Sequence, residues 1–521
     1  MSTNATPAAP PPPLTGASLV IGTIALSLAT FMNVLDTSIA NVSLTAISGD
    51  LGVSPNQGTW VITSFAVANA IAVPLTGWLT QRIGPVKLFT ASVLSFVLAS
   101  WLCGFAPSIE MLIAFRVIQG AVAGPMIPLS QSLLLSSYPK AKAGTALAMW
   151  SMTTLIAPVV GPLLGGWITD HINWPWIFYI NVPVGLLAAA TTWMIYAKRE
   201  APTRRLPIDT VGLALLVLWV GALQIMLDKG KELDWFHSTA IVVLAVVAVV
   251  GFALFVAWEL TEEHPVVDVR LFARRNFVIG TLALSLGYAV FFGNVVLLPL
   301  WLQQTLGYTA TQAGLALAPV GLLAIVLSPI VGRQVGTADP RWLATFSFLG
   351  FAFVLWMRSR FNTQADFTTI MIPTVLQGGA VAFFFIPLVS LTLSGLSPDR
   401  IPSASGLSNF ARITAGALGT SIFTTMWDDG GIAHRAQLVE HVRMGDPAVE
   451  TALAGLTSQG YTREQALAAI SRLVDQQAMT LSATDIFLLS ASLCIAMIAV
   501  VWFARPAVGK SGAGEAAASA H

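Results

Sequence analysis

The chain has 521 residues, of which 55% are hydrophobic and 10% charged, with a formal net charge of +1 and a mean hydropathy of +0.76. Soluble domains carry about 25% charged residues, so this balance excludes an ordinary globular domain and points to an all-α membrane protein with many spans. The two cysteines, Cys103 and Cys494, both lie in apolar runs, which argues against a disulfide framework or a metal cluster.

Residues 1–17 read as a disordered N-terminus. The first 16 contain no charged side chain, and they lack the basic start and small-residue cleavage site of a signal peptide. A helix needs roughly 20 apolar residues to cross the hydrocarbon core. Such windows can be placed fourteen times, at roughly 18–46, 59–80, 88–106, 109–136, 143–168, 175–197, 208–228, 238–259, 276–304, 311–333, 342–358, 367–395, 402–428 and 483–504. The expected divisions are an N-terminal six-helix bundle at 18–200, an inserted helix pair at 208–259, a C-terminal six-helix bundle at 260–504, and a tail at 505–521.

Lys and Arg set the orientation. One set of connections and the tail hold sixteen of them: Arg82, Lys87, Lys140, Lys142, Lys198, Arg199, Arg204, Arg205, Arg270, Arg274, Arg275, Arg333, Arg341, Arg400, Arg505 and Lys510. The opposite short loops hold four, Lys229, Lys231, Arg358 and Arg360. Both termini are therefore expected in the cytoplasm. The one long external segment, 429–482, reads as folded: Asp446-Pro447 suits a helix start, Thr462 with Gln465 matches a capping box, and a separate helix is expected from Gln465 to Met479. It could dock on the protein's own outer face or on another protein.

Internal similarity supports two related bundles. Gln57, Pro74 and Gly77 recur as Gln312, Pro329 and Gly332, while Gln119-Gly120 with Ile127-Pro128-Leu129 recur as Gln377-Gly378 with Ile386-Pro387-Leu388, at offsets of 255 to 259 residues. Parallel repeats of this kind place a substrate site near the midplane between them.

Asp36 stands inside the first apolar helix. An ionised carboxylate at bilayer depth is costly, so it needs a partner, a water-filled cavity or a bound proton, and such acids mark pathways or relays. All six histidines fall in expected loops or tails, which leaves carboxylates as the proton carriers. Arg116 lies at a depth within about 5 Å of Asp36, by the rise per residue of a helix. The two can form an adjustable charge pair that links protonation to movement, or a fixed brace between two helices. Arg412 is a further buried cation with no evident partner.

Gly77, Arg82, Gly84 and Lys87 form a tight turn between the second and third helices, where glycine permits close approach and positive φ. Pro158, Gly161, Pro162, Gly165 and Gly166 give the fifth helix a kink and a flat face for another helix. Phe31, Asn33, Trp60, Phe65, Gln119, Trp150, Tyr288, Phe291, Phe292, Asn294, Gln303, Phe384 and Phe410 are candidates to line, with Asp36, an aromatic cavity holding a few polar anchors. No spacing suits a metal site, and Gly509-Lys510-Ser511 lacks the upstream glycine and strand of a phosphate loop. Uptake of a small solute and a non-transporting sensor or scaffold remain as rival readings.

Leu35-Asp36-Thr-Ser-Ile-Ala-Asn41, the Gly77 to Lys87 turn, Arg116-Val-Ile-Gln119-Gly120 and Gly161-Pro162 with Gly165-Gly166 are similar to the signature motifs of the fourteen-helix drug:proton antiporters of the major facilitator superfamily. The resemblance implies a non-enzymatic exporter in a bacterial inner membrane that expels lipophilic drugs and uncouplers, with the proton gradient as energy source and no cofactor. It implies as partners a periplasmic adaptor of the EmrA type and a TolC-like outer-membrane channel. By the same likeness Asp36 and Arg116 serve proton coupling, the Gly77 turn is the cytoplasmic gate and the Gly161 stretch is the antiporter motif. The sequence departs from the superfamily's gate pattern in placing Gln81 where an Asp is usual.

Overall fold

The computed structural model describes residues 12–139, 142–203, 207–335, 338–440, 442 and 445–505; within these, the side chains of residues 45, 55, 56, 155, 158, 159, 162, 163, 310, 311 and 448 are left out of the description. The expectations for residues 1–11, Lys140, Arg204, Arg205, Lys510 and most of the tail therefore lie outside the described residues, as do the side chains of Pro158 and Pro162.

Among the described residues every regular element is helical. First come α1 (Gly16–Val42), the short α2 (Leu44–Asp50) and α3 (Pro55–Gly58), α4 (Trp60–Ala72), α5 (Thr76–Ile83) and α6 (Pro85–Gly104). They are followed by α7 (Ile109–Ala123), α8 (Met126–Ser137), α9 (Ala143–His171), the short α10 (Trp176–Tyr179) and α11 (Asn181–Tyr196). A pair, α12 (Thr210–Lys229) and α13 (Thr239–Thr261), precedes α14 (Arg275–Gln304), α15 (Ala310–Leu317), α16 (Pro319–Gln334), α17 (Pro340–Arg358) and α18 (Phe367–Leu393). The chain ends in α19 (Ile401–Glu440), α20 (Pro447–Ser458) and α21 (Arg463–Trp502).

In hydrocarbon every backbone donor and acceptor must be satisfied within the segment, which is why apolar stretches of this length fold as helices. Among the described residues eleven helices are long and apolar enough to cross a membrane, or twelve spans if α4 and α5, bent by 62°, count as one. The bend falls at Val73–Leu75, where Pro74 cannot donate to the preceding turn.

The packing repeats. α1 packs on α9, α4 on α7 and α6 on α11; correspondingly α14 packs on α19, α16 on α18 and α17 on α21. Where the N-terminal and C-terminal sets meet, α9 lies on α16, and α19 lies on α5 and α8. Both contacts include a glycine at a point of close approach. A Cβ added to Gly144 would stand 2.0 Å from the Gly332 carbonyl oxygen, and one on Gly77 would stand 2.1 Å from Ser403 Oγ. The inserted pair rests on both sets at one end. Lys229 Nζ donates to Thr59 Oγ1 at 2.7 Å and Thr63 donates to Asp228, while Ser421 Oγ donates to the Leu227 carbonyl at 2.9 Å and Trp235 Nε1 to Thr425 Oγ1 at 2.9 Å.

The basic connections gather at the other end. Arg199 Nη2 donates to the Pro12 carbonyl at 2.6 Å, Trp78 Nε1 to the Pro207 carbonyl at 3.3 Å, and Arg341 Nη1 to the Ala504 carbonyl at 3.2 Å. Two helices run longer than their apolar windows. α19 and α21 each have 40 residues and continue side by side beyond the spans. The helix expected from Gln465 to Met479 is instead the first part of α21, because no Gly or Pro interrupts 463–502. Gly430 and Gly431 do not break α19; their missing side chains admit Ser482 and Met479 of α21. Arg435 pairs with Asp475, and His434 Nε2 lies 2.8 Å from Asp485 Oδ2, so His434 belongs to a helix rather than a loop. The capping box of Thr462 and Gln465 is formed, and α20 begins at Pro447 after Asp446.

Candidate functional site

Asp36 sits on α1, fully buried, and the cage around it is drawn from distant parts of the chain. Arg116 Nη1 on α7 lies 2.5 Å from Asp36 Oδ2, with both side chains no more than 1% exposed. Asp36 Oδ1 accepts from Gln119 Nε2 at 3.1 Å and from Asn181 Nδ2 at 2.9 Å. Ser100 Oγ on α6 receives Gln119 Nε2 at 2.6 Å and Asn181 Nδ2 at 3.3 Å. The guanidinium also donates to the Val61 carbonyl at 3.0 Å and to Gln119 Oε1 at 2.6 Å, and it lies over the Phe65 ring at 4.1 Å from its centroid. The carboxylate thus has three donors and the cation three acceptors plus an aromatic face. Charge-assisted hydrogen bonds in a low-dielectric site are strong ones, and each member of this pair is held on several sides.

The fifth-helix glycines adjoin this cage. A Cβ on Gly161 would stand 2.6 Å from Ser38, and one on Gly165 would stand 2.7 Å from Ile39, so α9 lies on the turn of α1 directly after Asp36. Gly166 faces only Val42, at 4.0 Å. Asn33, one turn before Asp36, donates to the Ala123 carbonyl at 3.0 Å and ties α1 to the end of α7.

The turn after α5 has its own anion. Gly84 adopts φ +98°, and Glu200 accepts from the backbone N–H of Val86 at 3.1 Å and of Lys87 at 2.8 Å, satisfying orphan donors at the start of α6. Arg82 lies over the Trp78 ring, 5.2 Å from its centroid. Asn181, Ser100 and Glu200 were not singled out from the sequence. Asn181 was the most accessible of the three: it is an amide in the apolar window at 175–197, at a depth where a polar group needs a partner.

The other candidates are dispersed. Trp150, 1% exposed, donates from Nε1 to Ser130 Oγ at 3.2 Å, and Phe384, 0% exposed, is packed among Phe348, Phe351 and Phe385. Both are core residues here rather than lining. Asn294 donates to the Val290 carbonyl at 2.7 Å and to Ser490 Oγ at 3.1 Å. Gln303 is exposed and donates to the Pro299 carbonyl of its own helix. Phe410 meets Trp219 of α12 edge-on at 5.7 Å, and Trp60, half-buried, lies under Lys229. Phe31 is also half-buried. Tyr288 stacks on Phe292 at 5.2 Å and leans on Phe291. Arg412 has neutral partners: its Nη2 donates to Asn409 Oδ1 at 2.8 Å and its guanidinium lies 4.6 Å from the Tyr288 centroid. Asn409 and Ser405 in turn reach Gln131 of α8, which joins the two sets of helices. Among the described residues no three His, Cys, Asp or Glu side chains gather as a metal would require.

Comparison with known proteins bears on the family and the fold. The model of the Major Facilitator Superfamily matches residues 26–420. The chain is 54% identical to the multidrug export protein EmrB of Escherichia coli strain K12 over 503 residues, covering 96% of this chain and 98% of that protein. It is 52% identical to EmrB of Haemophilus influenzae and 48% identical to the fatty acid resistance protein FarB of Neisseria gonorrhoeae, over 96% of this chain and 98% and 99% of theirs. The crystal structure of the human organic anion transporter MFSD10 superposes with a TM-score of 0.55 at 14% identity, covering 92% of this chain and 100% of that one, which bears on the fold alone. A family match across most of the spans, with relatives about as long and half identical, places the chain in the Major Facilitator Superfamily, among proteins of the EmrB type.

Proposed function

We propose that this protein is a secondary multidrug exporter that exchanges protons for lipophilic drugs and uncouplers across a bacterial inner membrane. Membership of a family of transporters, not enzymes, sets the class, and the relatives, multidrug export proteins, suggest the direction and the kind of cargo. Fourteen spans follow if α9, of 29 residues, and α19, of 40, join the eleven long apolar helices and the bent pair of α4 and α5. The architecture is then two six-helix halves with α12 and α13 between them. The basic face, with both ends of the described chain, faces the cytoplasm. The external segment 429–482 faces a periplasmic adaptor of the EmrA type, which leads to a TolC-like channel.

The observation that carries the mechanism is the path from the buried pair to the seam. Asp36 and Arg116 hold α1 against α7, and α1 meets α9 at Gly161 and Gly165. About 25 Å further along α9, at 1.5 Å per residue, Gly144 meets Gly332 of the other half. A proton on Asp36 removes the negative partner of Arg116 and loosens α1. That motion reaches the seam through one rigid helix, and the halves then rock about the substrate. The two protonation states so favour two arrangements, which is what exchange requires.

The test is efflux of lipophilic dyes from proteoliposomes under an imposed pH gradient. Wild-type protein is expected to move dye only while the gradient lasts, and Asp36→Asn to insert normally but lose gradient-driven efflux. Unchanged efflux by Asp36→Asn would remove that carboxyl from the mechanism. A wild-type protein that moves no dye would favour the sensor or scaffold reading.

A further inference from the structure

The offset that relates the two sets of helices also relates their interiors. A shift of 258 residues carries Asp36 onto Asn294, Ser100 onto Arg358, Arg116 onto Thr374 and Gln119 onto Gln377. Part of the second group is assembled in the structure, although among the described residues no hydrogen bond joins Asn294 to Arg358, Thr374 or Gln377. Arg358 Nη2 donates to Gln377 Oε1 at 2.7 Å and to Thr374 Oγ1 at 3.2 Å, and Asn294 on α14 bonds to Ser490 of α21 where Asp36 on α1 bonds to Asn181 of α11. The twin has kept its amides, its hydroxyls and one guanidinium, moved over by one helix. It has no acid.

The consequence is an uncompensated charge. Arg358 is 1% exposed, its Nε has no hydrogen-bond partner, and among the described residues it makes no ion pair. Removing one member of a buried pair leaves a charge that is strongly destabilising, yet here the chain is built that way. A guanidinium offers five N–H donors; Nη2 serves two neutral oxygens and Nε points at none. Its neighbours Gln377 and Thr374 lower the cost but carry no negative charge.

We propose that the Arg358 cage is a binding site for a monovalent anion, which supplies the charge that Asp36 supplies in the other half. The chemistry is that of a single negative group that accepts from a guanidinium edge. A halide from solution and the carboxylate of a lipophilic acid both provide it. This assignment is independent of the exchange mechanism, because binding can be read without transport.

The experiment is thermal unfolding of the purified full-length protein in detergent and sodium sulfate buffer, whose anion is divalent. Chloride, bromide or nitrate is titrated in at constant ionic strength, and octanoate is titrated in a parallel series. The wild type is expected to show a saturable rise in Tm. Arg358→Gln is expected to lose it, and Gln377→Glu, which puts a carboxylate where an amide now accepts from Arg358, is expected to unfold in sulfate no lower than the wild type and to ignore added anion. A response to inorganic ions identifies a halide-type ligand, and a response to octanoate alone identifies a carboxylate. A wild type indifferent to every anion overturns the proposal, as does an Arg358→Gln or Gln377→Glu protein that responds as the wild type does. The wild-type and Gln377→Glu measurements stand even if Arg358→Gln does not fold.

Discussion

At the scale of single residues, the Asp36 and Arg116 pair shows how far each member of a buried ion pair depends on the other. Taking both charges out of water costs several kcal/mol each, and their attraction with the surrounding hydrogen bonds offsets that only while both are present. The pair is therefore poised: any event that neutralises one member leaves the other in the wrong medium. Arg116→Ala strands the carboxylate and is expected to lower stability by about 3–5 kcal/mol. The Asp36→Asn, Arg116→Gln double variant, which leaves no charge behind, is expected to regain most of that loss. Thermal unfolding of the three proteins in detergent checks this, and equal destabilisation of single and double variants would show that the fold depends on contacts other than charge. Asn181→Ala, which removes one of three donors to Asp36, should cost about 1–3 kcal/mol. The pair itself was legible in the sequence, because depth along a helix follows from counting residues. Its cage was not, since Asn181, Ser100 and the Val61 carbonyl come from three other helices whose rotation about their axes only tertiary packing fixes.

At the scale of elements, α9 touches both places that the proposed cycle uses. Its glycines at 161 and 165 press on α1, and Gly144 touches the backbone of Gly332 on α16. Backbone contact of that closeness leaves no room for a methyl group, so Gly144→Val is expected to hold the seam apart. The variant should insert and bind substrate but lose gradient-driven efflux, measured in the same proteoliposomes. Retained efflux would mean that the seam does not close during turnover. The glycines at 161 and 165 were legible in the sequence as a flat face for another helix, whereas nothing in the sequence pattern marked Gly144 as a contact with the other set of helices. Helix ends were harder to read. Hydropathy stops α19 near residue 428 and starts the last span near residue 483, yet both helices continue outward as one packed pair. Water solvates the extension, so apolarity no longer marks it; only the capping box at Thr462 did.

At the scale of the whole molecule, the extended parts of α19 and α21, with α20 packed on α21, depart from the repeated packing as the inserted pair does. The extension is self-supporting, held by the Arg435 and Asp475 pair, by His434 with Asp485 and by the close approach of α21 at Gly430 and Gly431. A structure of that kind has no obvious part in closing the seam, which lies at the basic face. It is well placed to meet a partner standing outside the membrane. Replacement of α20, residues 447–458, by a Gly/Ser linker of equal length leaves those supporting contacts in place. The expected outcome is a split: proteoliposomes retain gradient-driven dye efflux, while cells that express the variant lose resistance to the same compounds. Proportional loss in both assays would make the extension part of the transport core. Full resistance in cells would place the adaptor elsewhere, with the outer turn of α12 and α13, exposed around Phe236, as the next surface to examine by the same substitution.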